Sequence, residues 1–370
     1  MFGFGEKQFI GIDVGTSSVK IVELKMSGNK PILVNYAWMP IDNLLDDRGI
    51  KESYFEVALP EYLKRMIKEG HFSSREAIFS IPAFGGLITL IEFPNIEKSE
   101  LDQAIRFEAR KYIPMSLDDV ILSWDVVKKD VSTRLLNRKD AGEEKKLEEK
   151  EKGVGENRLE VLLVAAPKNK VAKYEQLAID AKLKLNAIEI ESFSLVRSLI
   201  GNDQGNFVIV DIGSRICNII LVEKGVIKAN RNMDAGGRDI TKVIARSINV
   251  DNERAEKLKV SDNNFLSAES NVKFPVIDLI IGEVVRVIKA YYKDGDEAAL
   301  DGIILSGGTA RFSGLDEYFS KTLNIKTIIG NPLSRVDYDK RLQPQTAELG
   351  SYFSVAIGLA LSGFDKYLKK

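Results

Sequence analysis

The chain has 370 residues, 44% hydrophobic and 29% charged, a length that exceeds one ordinary core and calls for two lobes or more. Lys+Arg 53 against Asp+Glu 54 leave a net charge of −1, so no global attraction draws it to nucleic acid or to an anionic membrane surface. One cysteine (Cys217) excludes an internal disulfide and fits a reducing compartment, and one histidine (His71) argues against a histidine triad or a multi-histidine metal site.

Residues 8–14, 19–25 and 31–39 read as three β-strands, the last two joined around Ser27-Gly28-Asn29-Lys30. Residues 59–69 set Leu59, Leu63, Met66 and Ile67 at helical spacing, with Pro60 in the first turn, where its missing N–H costs nothing. A strand is expected at 77–84. Then come a strand at 87–93, a helix over 98–112 and a strand at 120–127. The helix sets Leu101, Ala104, Ile105, Ala109 and Tyr112 on one face, and Pro114 stops it. A second strand, helix and strand follow at 159–167, 168–181 and 185–191.

Between these halves, 128–157 is dense in both charges and free of aromatic residues, and cannot bury enough apolar surface to order itself. It reads as a mobile surface loop, or as a short charged helix over "AGEEKKLEEKEK".

From Asn206 the opening design returns. "FVIVDIGSRICNIILV" (207–222) echoes "FIGIDVGTSSVKIVEL" (9–24), about 200 residues earlier, which points to duplicated lobes facing one another. Residues 226–241 extend the second sheet, and helices follow near 238–248, 251–260 and 275–292. "GIILSGGTARFSGL" (302–315) is a buried strand, a Gly-rich turn and a helix, and 348–361 is a small-residue helix. No secretory leader is visible and no run reaches transmembrane length, so the chain is expected in the cytosol, with any membrane role reached through a partner.

The turns carry the chemistry. Small residues in a tight turn point successive N–H groups into one concavity, which suits an anion. The first turn offers Gly15, Thr16, Ser17 and Ser18, with Lys20 as charge partner, and the second offers Gly213 and Ser214. Asp13 and Asp211 hold matching strand-end positions. Two carboxylates of that kind suit a hydrated Mg²⁺, which takes few protein ligands. One Asp-x-Gly turn is commonplace; two at matching positions, followed by "LSGG" (305–308), point to a nucleotide lying on Gly307 and Gly308.

This order resembles the actin, chaperone and sugar-kinase ATPase superfamily. It has a first phosphate loop (13–20), a connecting helix from Glu191, a second phosphate loop (211–218), an adenosine loop (305–312) and a second connecting helix (350–361). The implied fold is α/β, actin-like (ribonuclease H-like) and two-lobed, with ATP and Mg²⁺ as cofactors. The resemblance adds Gly236, Gly237 and Arg311 to the nucleotide residues. By the Ala-Glu-x-x-Lys pattern of "ERAEKLKV" (253–260), it also adds Glu256 and Lys259 toward the ribose and base; a solvated helix face is the plainer reading of that motif. The insertion at 85–190 has the placement seen in the FtsA and PilM branch. The phrases "FEARKYIPMSLDDVILSWDVV", "LEVLLVAAPK", "AIEIESFSLVRSLIG" and "IVDIGSRICNIILVEKGV" resemble the PilM family of type IV pilus assembly.

That resemblance implies a first lobe of 1–84 with 191–203 and 345–370 returning to it. It implies an FtsA-type subdomain at 85–190 and a second lobe of 204–344 with a helical subdomain near 240–295. It further implies a PilN-like inner-membrane partner engaged through its cytoplasmic N-terminal peptide, with pilus motor ATPases as further candidates, no nucleic acid, and self-association left open. The junction residues Pro82, Phe84, Gly85, Gly86 and Phe193 are the expected groove for that peptide.

Arg215 in the second loop either adds charge toward a phosphate or points to solvent, and Cys217 reads as a small core residue. No residue stands out as a water-positioning base. Glu191 is a weak candidate, a plain helix-start glutamate being the other reading, so at most slow hydrolysis is expected. An FtsA-like filament-forming protein is the alternative. A zinc-dependent member of the kinase group is disfavoured, since one histidine and one cysteine cannot supply its metal site.

Overall fold

The same five-strand pattern is built twice. The computed structural model describes residues 7–41, 45–46, 49–50, 54–94, 98–127, 158–267, 269–292 and 300–365. In chain order the elements begin with β1 (Gln8–Val14), β2 (Ser18–Ser27), β3 (Lys30–Pro40), β4 (Leu45–Asp46), β5 (Gly49–Ile50), α1 (Leu59–Glu69) and β6 (Glu76–Ile81). Next are β7 (Leu87–Pro94), α2 (Lys98–Ala109), β8 (Val120–Val127), β9 (Arg158–Pro167), α3 (Lys168–Asp180), β10 (Lys184–Ile190) and α4 (Glu191–Leu199). Then follow β11 (Asn206–Ile212), β12 (Cys217–Glu223), β13 (Val226–Met233), α5 (Gly237–Ser247), α6 (Asn252–Lys259) and α7 (Pro275–Tyr291). The chain closes with β14 (Gly302–Ser306), α8 (Leu315–Leu323), β15 (Thr327–Ile329), α9 (Thr346–Tyr352) and α10 (Ser354–Ser362).

Two units are distinct: Met1–Gly85 with Asn169–Lys370, and Gly86–Lys168. The larger holds two sheets, ordered β10-β6-β1-β2-β3 and β13-β12-β11-β14-β15. In each, the first strand pairs antiparallel with its hairpin partner and parallel with the strand on its other side. The registers correspond: Asp13 lies opposite Lys20, and Asp211 opposite Asn218. β1 and β12 are buried almost throughout, because both sheet faces are covered, and covered strands read as continuous apolar runs rather than alternating ones.

The cover between the strands and α4 is α10, buried from Ser354 to Leu361 and apolar all round, as a core helix must be. It approaches closely because glycines face it. A Cβ on Gly11 would collide with the Ala356 carbonyl of α10, and a Cβ on Gly358 with the Ser194 carbonyl of α4. Arg197 of α4 then donates to the Gly358 carbonyl at 3.1 Å and pairs with Glu189 at 2.9 Å. The second sheet is covered by α5, α7 and α8, whose Ile240, Ile244, Ile280, Val284 and Phe319 join one core with Val210, Ile219 and Leu305.

The smaller unit is an antiparallel sheet, β7-β9-β8, with α2 on it; Ile91, Leu101, Ile105, Val161 and Leu163 form its core. α2 ends at Ala109, three residues before the expected 112, so Tyr112 leaves the apolar face and is exposed.

Several expected boundaries differ. The insertion expected at 85–190 is shorter, because almost all of α3 and the whole of β10 belong to the larger unit. β10 pairs parallel with β6, from Lys184 opposite Glu76 to Ile190 opposite Ile81, and Tyr174 of α3 packs its ring against Phe79. The strand expected at 77–84 stops at Ile81, where a 3₁₀ turn over Ala83–Gly85 begins. The helix expected at 348–361 is two, parted at Phe353. The charged segment 128–157 lies outside the described residues.

The α4–α10 contact gives a direct expectation. Gly358→Val should lower the unfolding free energy by about 3 kcal/mol in a urea titration, from overpacking alone. Gly282→Ala on the exposed side of α7, where an added methyl meets nothing within 4 Å, should raise it by about 0.5–1 kcal/mol.

Candidate functional site

Each hairpin closes by the same bond. The Gly15 N–H donates to the Ser18 carbonyl at 3.0 Å, and the Gly213 N–H to the Ile216 carbonyl at 2.9 Å. The amides of Thr16, Ser17 and Ser214 have no hydrogen-bond partner among the described residues. Two turns thus present unsatisfied donors beside the ends of β1 and β11, where Asp13 and Asp211 stand.

The register across each hairpin sets the charge. Lys20 Nζ reaches Asp13 Oδ2 at 3.1 Å, with both side chains nearly buried, and the Ser80 hydroxyl approaches Asp13 Oδ1 at 3.4 Å. Burial opposes the charge on Lys20, but attraction to Asp13, Tyr352 and Asp211 outweighs it and holds its pKa above the ordinary lysine value. Asn218 takes the corresponding place in the second hairpin, so Asp211 has no lysine across the ladder. Burial, with repulsion from Asp13, pushes Asp211 up to about 6 against the opposing Ser306 hydrogen bond and Lys20. Glu191 at the start of α4 is pushed up to about 8 by burial first and then by Asp211 and Asp13, with the Ala83 N–H and Lys20 acting the other way.

Among the described residues no group of three or more His, Cys, Asp or Glu is placed to hold a metal ion by itself. Burial and repulsion among the acids raise Asp211 and Glu191, while the third acid, Asp13, is paired with Lys20.

The second half of the site is tied to the second hairpin. Gly237 N–H donates to the Gly213 carbonyl at 2.9 Å and Arg238 N–H to the Ser214 carbonyl at 2.8 Å, while Gly236 N–H donates to Asp239 at 3.2 Å at the start of α5. Lys259 on α6 is buried and donates to the Gly237 carbonyl at 3.2 Å, Thr241 Oγ1 at 3.0 Å and Glu256 Oε2 at 2.7 Å. The Thr241 hydroxyl donates to Glu256 in turn. Burial lowers the Lys259 pKa, against the pull of Glu256.

Gly307, at φ 83°, lies in the left-handed region and close over the Ile212 carbonyl, so only glycine fits between β14 and the second hairpin. Gly308 lies against the Tyr352 ring, and Thr309 Oγ1 reaches the Gly213 carbonyl at 3.3 Å. Arg311 ends that turn.

The structure therefore gathers Gly213, Ser214, Gly236, Gly237, Glu256, Lys259, Gly307 and Gly308 around one hairpin. It places Asp13, Gly15, Thr16, Ser17, Ser18 and Lys20 on the other. Arg215 is engaged by Asp234 in a two-pronged pair at 2.9 and 3.0 Å. Cys217 is fully buried, with burial pushing its thiol up, as a core residue should be. Of the residues expected to line a peptide groove, Phe84 is 52% exposed, with Lys170 Nζ 5.4 Å from its ring centroid, and Phe193 is half-buried on α4.

Sequence reasoning missed three members. Ser306 lies opposite Asp211 in the β11–β14 ladder, and Ser80 reaches Asp13 from β6; both follow only once strand pairing is known. Tyr352 donates to Ser18 Oγ at 2.9 Å with no local sequence signal at all. Two buried polar atoms, Asn218 Oδ1 opposite Asp211 and Ser351 Oγ beside Gly307, have no partner among the described residues, which fits a region built to receive a polar ligand.

The chain matches the family model described as type IV pilus assembly protein PilM over residues 11–137 and 145–364. It is similar to the solved PilM-PilN type IV pilus biogenesis complex, with 25% identity and a TM-score of 0.75 over 96% of this chain and 98% of that one. Ethanolamine utilization protein EutJ from Carboxydothermus hydrogenoformans, at 18% identity and a TM-score of 0.57 over 96% of this chain and 89% of that one, shares the fold. Among curated proteins, cell division protein FtsA of Helicobacter pylori is 24% identical over 45% of this chain. The chain spans only 40% of that relative's length. FtsA of Neisseria meningitidis is 23% identical over 74% of this chain and 68% of its own length.

The raised Glu191 pKa makes stability fall with pH. The folded state holds that proton up to about pH 8, whereas the ordinary value is 4.5, so this group's contribution is complete below 4.5 and is lost as pH rises toward 8. Glu191→Gln cannot ionise. Its melting temperature relative to the native chain should therefore climb between pH 5 and pH 8, measured without nucleotide or divalent cation. A difference that stays constant across that range would contradict the assignment.

Proposed function

The chain belongs to the PilM family of type IV pilus assembly proteins, and on that premise we propose that it is an ATP-binding, actin-like adaptor. The observation that carries the nucleotide reading is the pair of hairpins, each with a strand-end aspartate and unsatisfied turn amides. In this reading the amides of Thr16, Ser17 and Ser214 and the Lys20 ammonium hold the phosphates. Gly236, Gly237, Gly307, Gly308, Arg311, Glu256 and Lys259 take the nucleoside. Asp13 and Asp211 hold Mg²⁺ through its water shell, and that ion would supply charge neutralisation along the polyphosphate. Glu191 remains the weak candidate for a base, its Oε1 accepting the Ala83 amide at 3.0 Å, and slow turnover at most is the proposal.

The partner we propose is the cytoplasmic N-terminal peptide of a PilN-like inner-membrane protein, supported by the likeness to the PilM-PilN complex over nearly the whole chain. No described helix is long and apolar enough to cross a membrane, and attachment at the inner face of the membrane is proposed to run through that partner. A filament-forming, FtsA-like role is the second reading, favoured by the FtsA relatives; nucleotide-dependent sedimentation of the purified chain would select it.

Calorimetry with Mg·ATP tests the site. Asp13→Ala and Asp211→Ala should each weaken binding about tenfold or more, equivalent to about 1.4 kcal/mol. Asp211→Ala should move the melting temperature only slightly, whereas Asp13→Ala also lowers it by stranding the nearly buried Lys20 ammonium. Unchanged affinity in both variants removes the assignment. In a separate titration, a peptide copying the partner's cytoplasmic N-terminus should bind the ATP-loaded chain without releasing nucleotide; displacement of ATP would count against the adaptor reading.

A further inference from the structure

Tyr352 is the last residue of α9, at the break before α10, and it touches both halves of the site. Its hydroxyl donates to Ser18 Oγ at 2.9 Å, in the first hairpin. Lys20 Nζ stands 4.5 Å from its ring centroid. On the second sheet's side, a methyl placed on Gly308 would come within 3.1 Å of the ring's Cδ2 and Cε2. Trp38, 53% exposed on β3, packs edge-on against the ring at 5.9 Å.

Lys20 shows what this does. An ammonium has three N–H donors. One is committed to Asp13 at 3.1 Å, and the face of the Tyr352 ring attracts the charge from a second side. The flexible lysine stem is thereby held in one arrangement, with one direction left for a ligand.

We infer that Tyr352 is a positioning residue of the nucleotide site, acting through Lys20 and Ser18. Its ring fixes the ammonium that meets the polyphosphate, and its hydroxyl fastens the first hairpin turn beside the Gly307-Gly308 turn. This rests on the nucleotide reading proposed above.

The test uses the full-length chain and Mg·ATP in calorimetry. Y352L, which loses both the ring face and the hydroxyl, should weaken binding about tenfold. Y352F keeps the ring and should recover most of that loss, remaining no more than about threefold weaker than the native chain. In a K20M background, Y352L should add less than about twofold, because its effect passes through the lysine. In a W124F background Trp38 is the remaining tryptophan, and its emission should respond to ATP with Tyr352 present and cease to respond in Y352L. Should Y352L fail to fold, Y352F and S18A carry the test: each alone weakens binding by about two- to threefold, and the double variant is no weaker than either.

An unchanged affinity in Y352L, or a full tenfold loss persisting in K20M, overturns the inference while leaving the nucleotide reading intact. A native chain that binds no ATP overturns both.

Discussion

Backbone packs against backbone where α4, α10 and β1 meet: Gly358 of α10 lies against the Ser194 carbonyl of α4, and Gly11 of β1 against α10. Side chains larger than hydrogen at those two glycines would hold the elements apart, and well-packed interiors tolerate little added volume. The consequences run outward. α4 opens with Glu191, α10 follows directly on Tyr352, and β1 ends at Asp13. Three of the groups at the site, Glu191, Tyr352 and Asp13, therefore sit on elements held together by these two contacts. The buried serines of α4 belong to the same arrangement. Ser192, Ser194 and Ser198 are fully buried because they are small, and each has a partner at hand: Asn218 Nδ2 donates to Ser192 Oγ at 3.1 Å, Ser194 donates to Glu189 Oε2 at 3.3 Å, and Ser198 donates to the Leu195 carbonyl at 3.3 Å.

The two hairpins have one geometry and two chemistries. Position for position, Lys20 and Asn218 occupy the same rung, so one strand-end aspartate is neutralised across the ladder and the other is not. Both turns close by the same glycine bond; a lysine stands across the ladder from the aspartate on one side only. An elongated anion bound across both turns would thus find its fixed positive charge at the first hairpin, and would need a mobile cation where Asp211 stands. That asymmetry is consistent with Asp211 being raised by burial while Lys20 holds its charge.

Much of this could be read from residues alone. The echo between 9–24 and 207–222 announced the two sheets, because buried β-branched runs around an Asp-x-Gly turn have few other uses. What periodicity cannot state is which sheet a strand joins. The run at 185–191 was expected in the inserted subdomain with its neighbours in sequence, yet as β10 it completes the edge of β6 in the larger unit. For the same reason Ser306 and Ser80 escaped notice: their role comes from the rung opposite them or the strand beside them. Tyr352 lay further out of reach, since it meets Ser18 across 334 positions of chain. Glu256 and Lys259 were visible only as a helix pattern that a solvated surface explains equally well; the structure sets Lys259 in the interior, with Thr241 and the Gly237 carbonyl as partners.

A shared fold leaves the activity open, because the same hairpins serve enzymes and non-enzymes alike. The distinction rests on whether a base is poised to activate water, and Glu191 is the acid in the right neighbourhood. A general base works when it is ionised near the operating pH and has an oxygen within reach of the water. Glu191 is pushed up to about 8, chiefly by burial, and its Oε1 accepts the Ala83 amide, which leaves Oε2 as its other acceptor. That bond has another consequence. It ties the first residue of α4 to the turn that carries the exposed Phe84, so an acid coupled to Asp13 and Asp211 is also the anchor of a surface loop. A substitution at Glu191 would therefore disturb the Phe84 turn as well as remove the acid, so its effect on the site has to be separated from its effect on that loop.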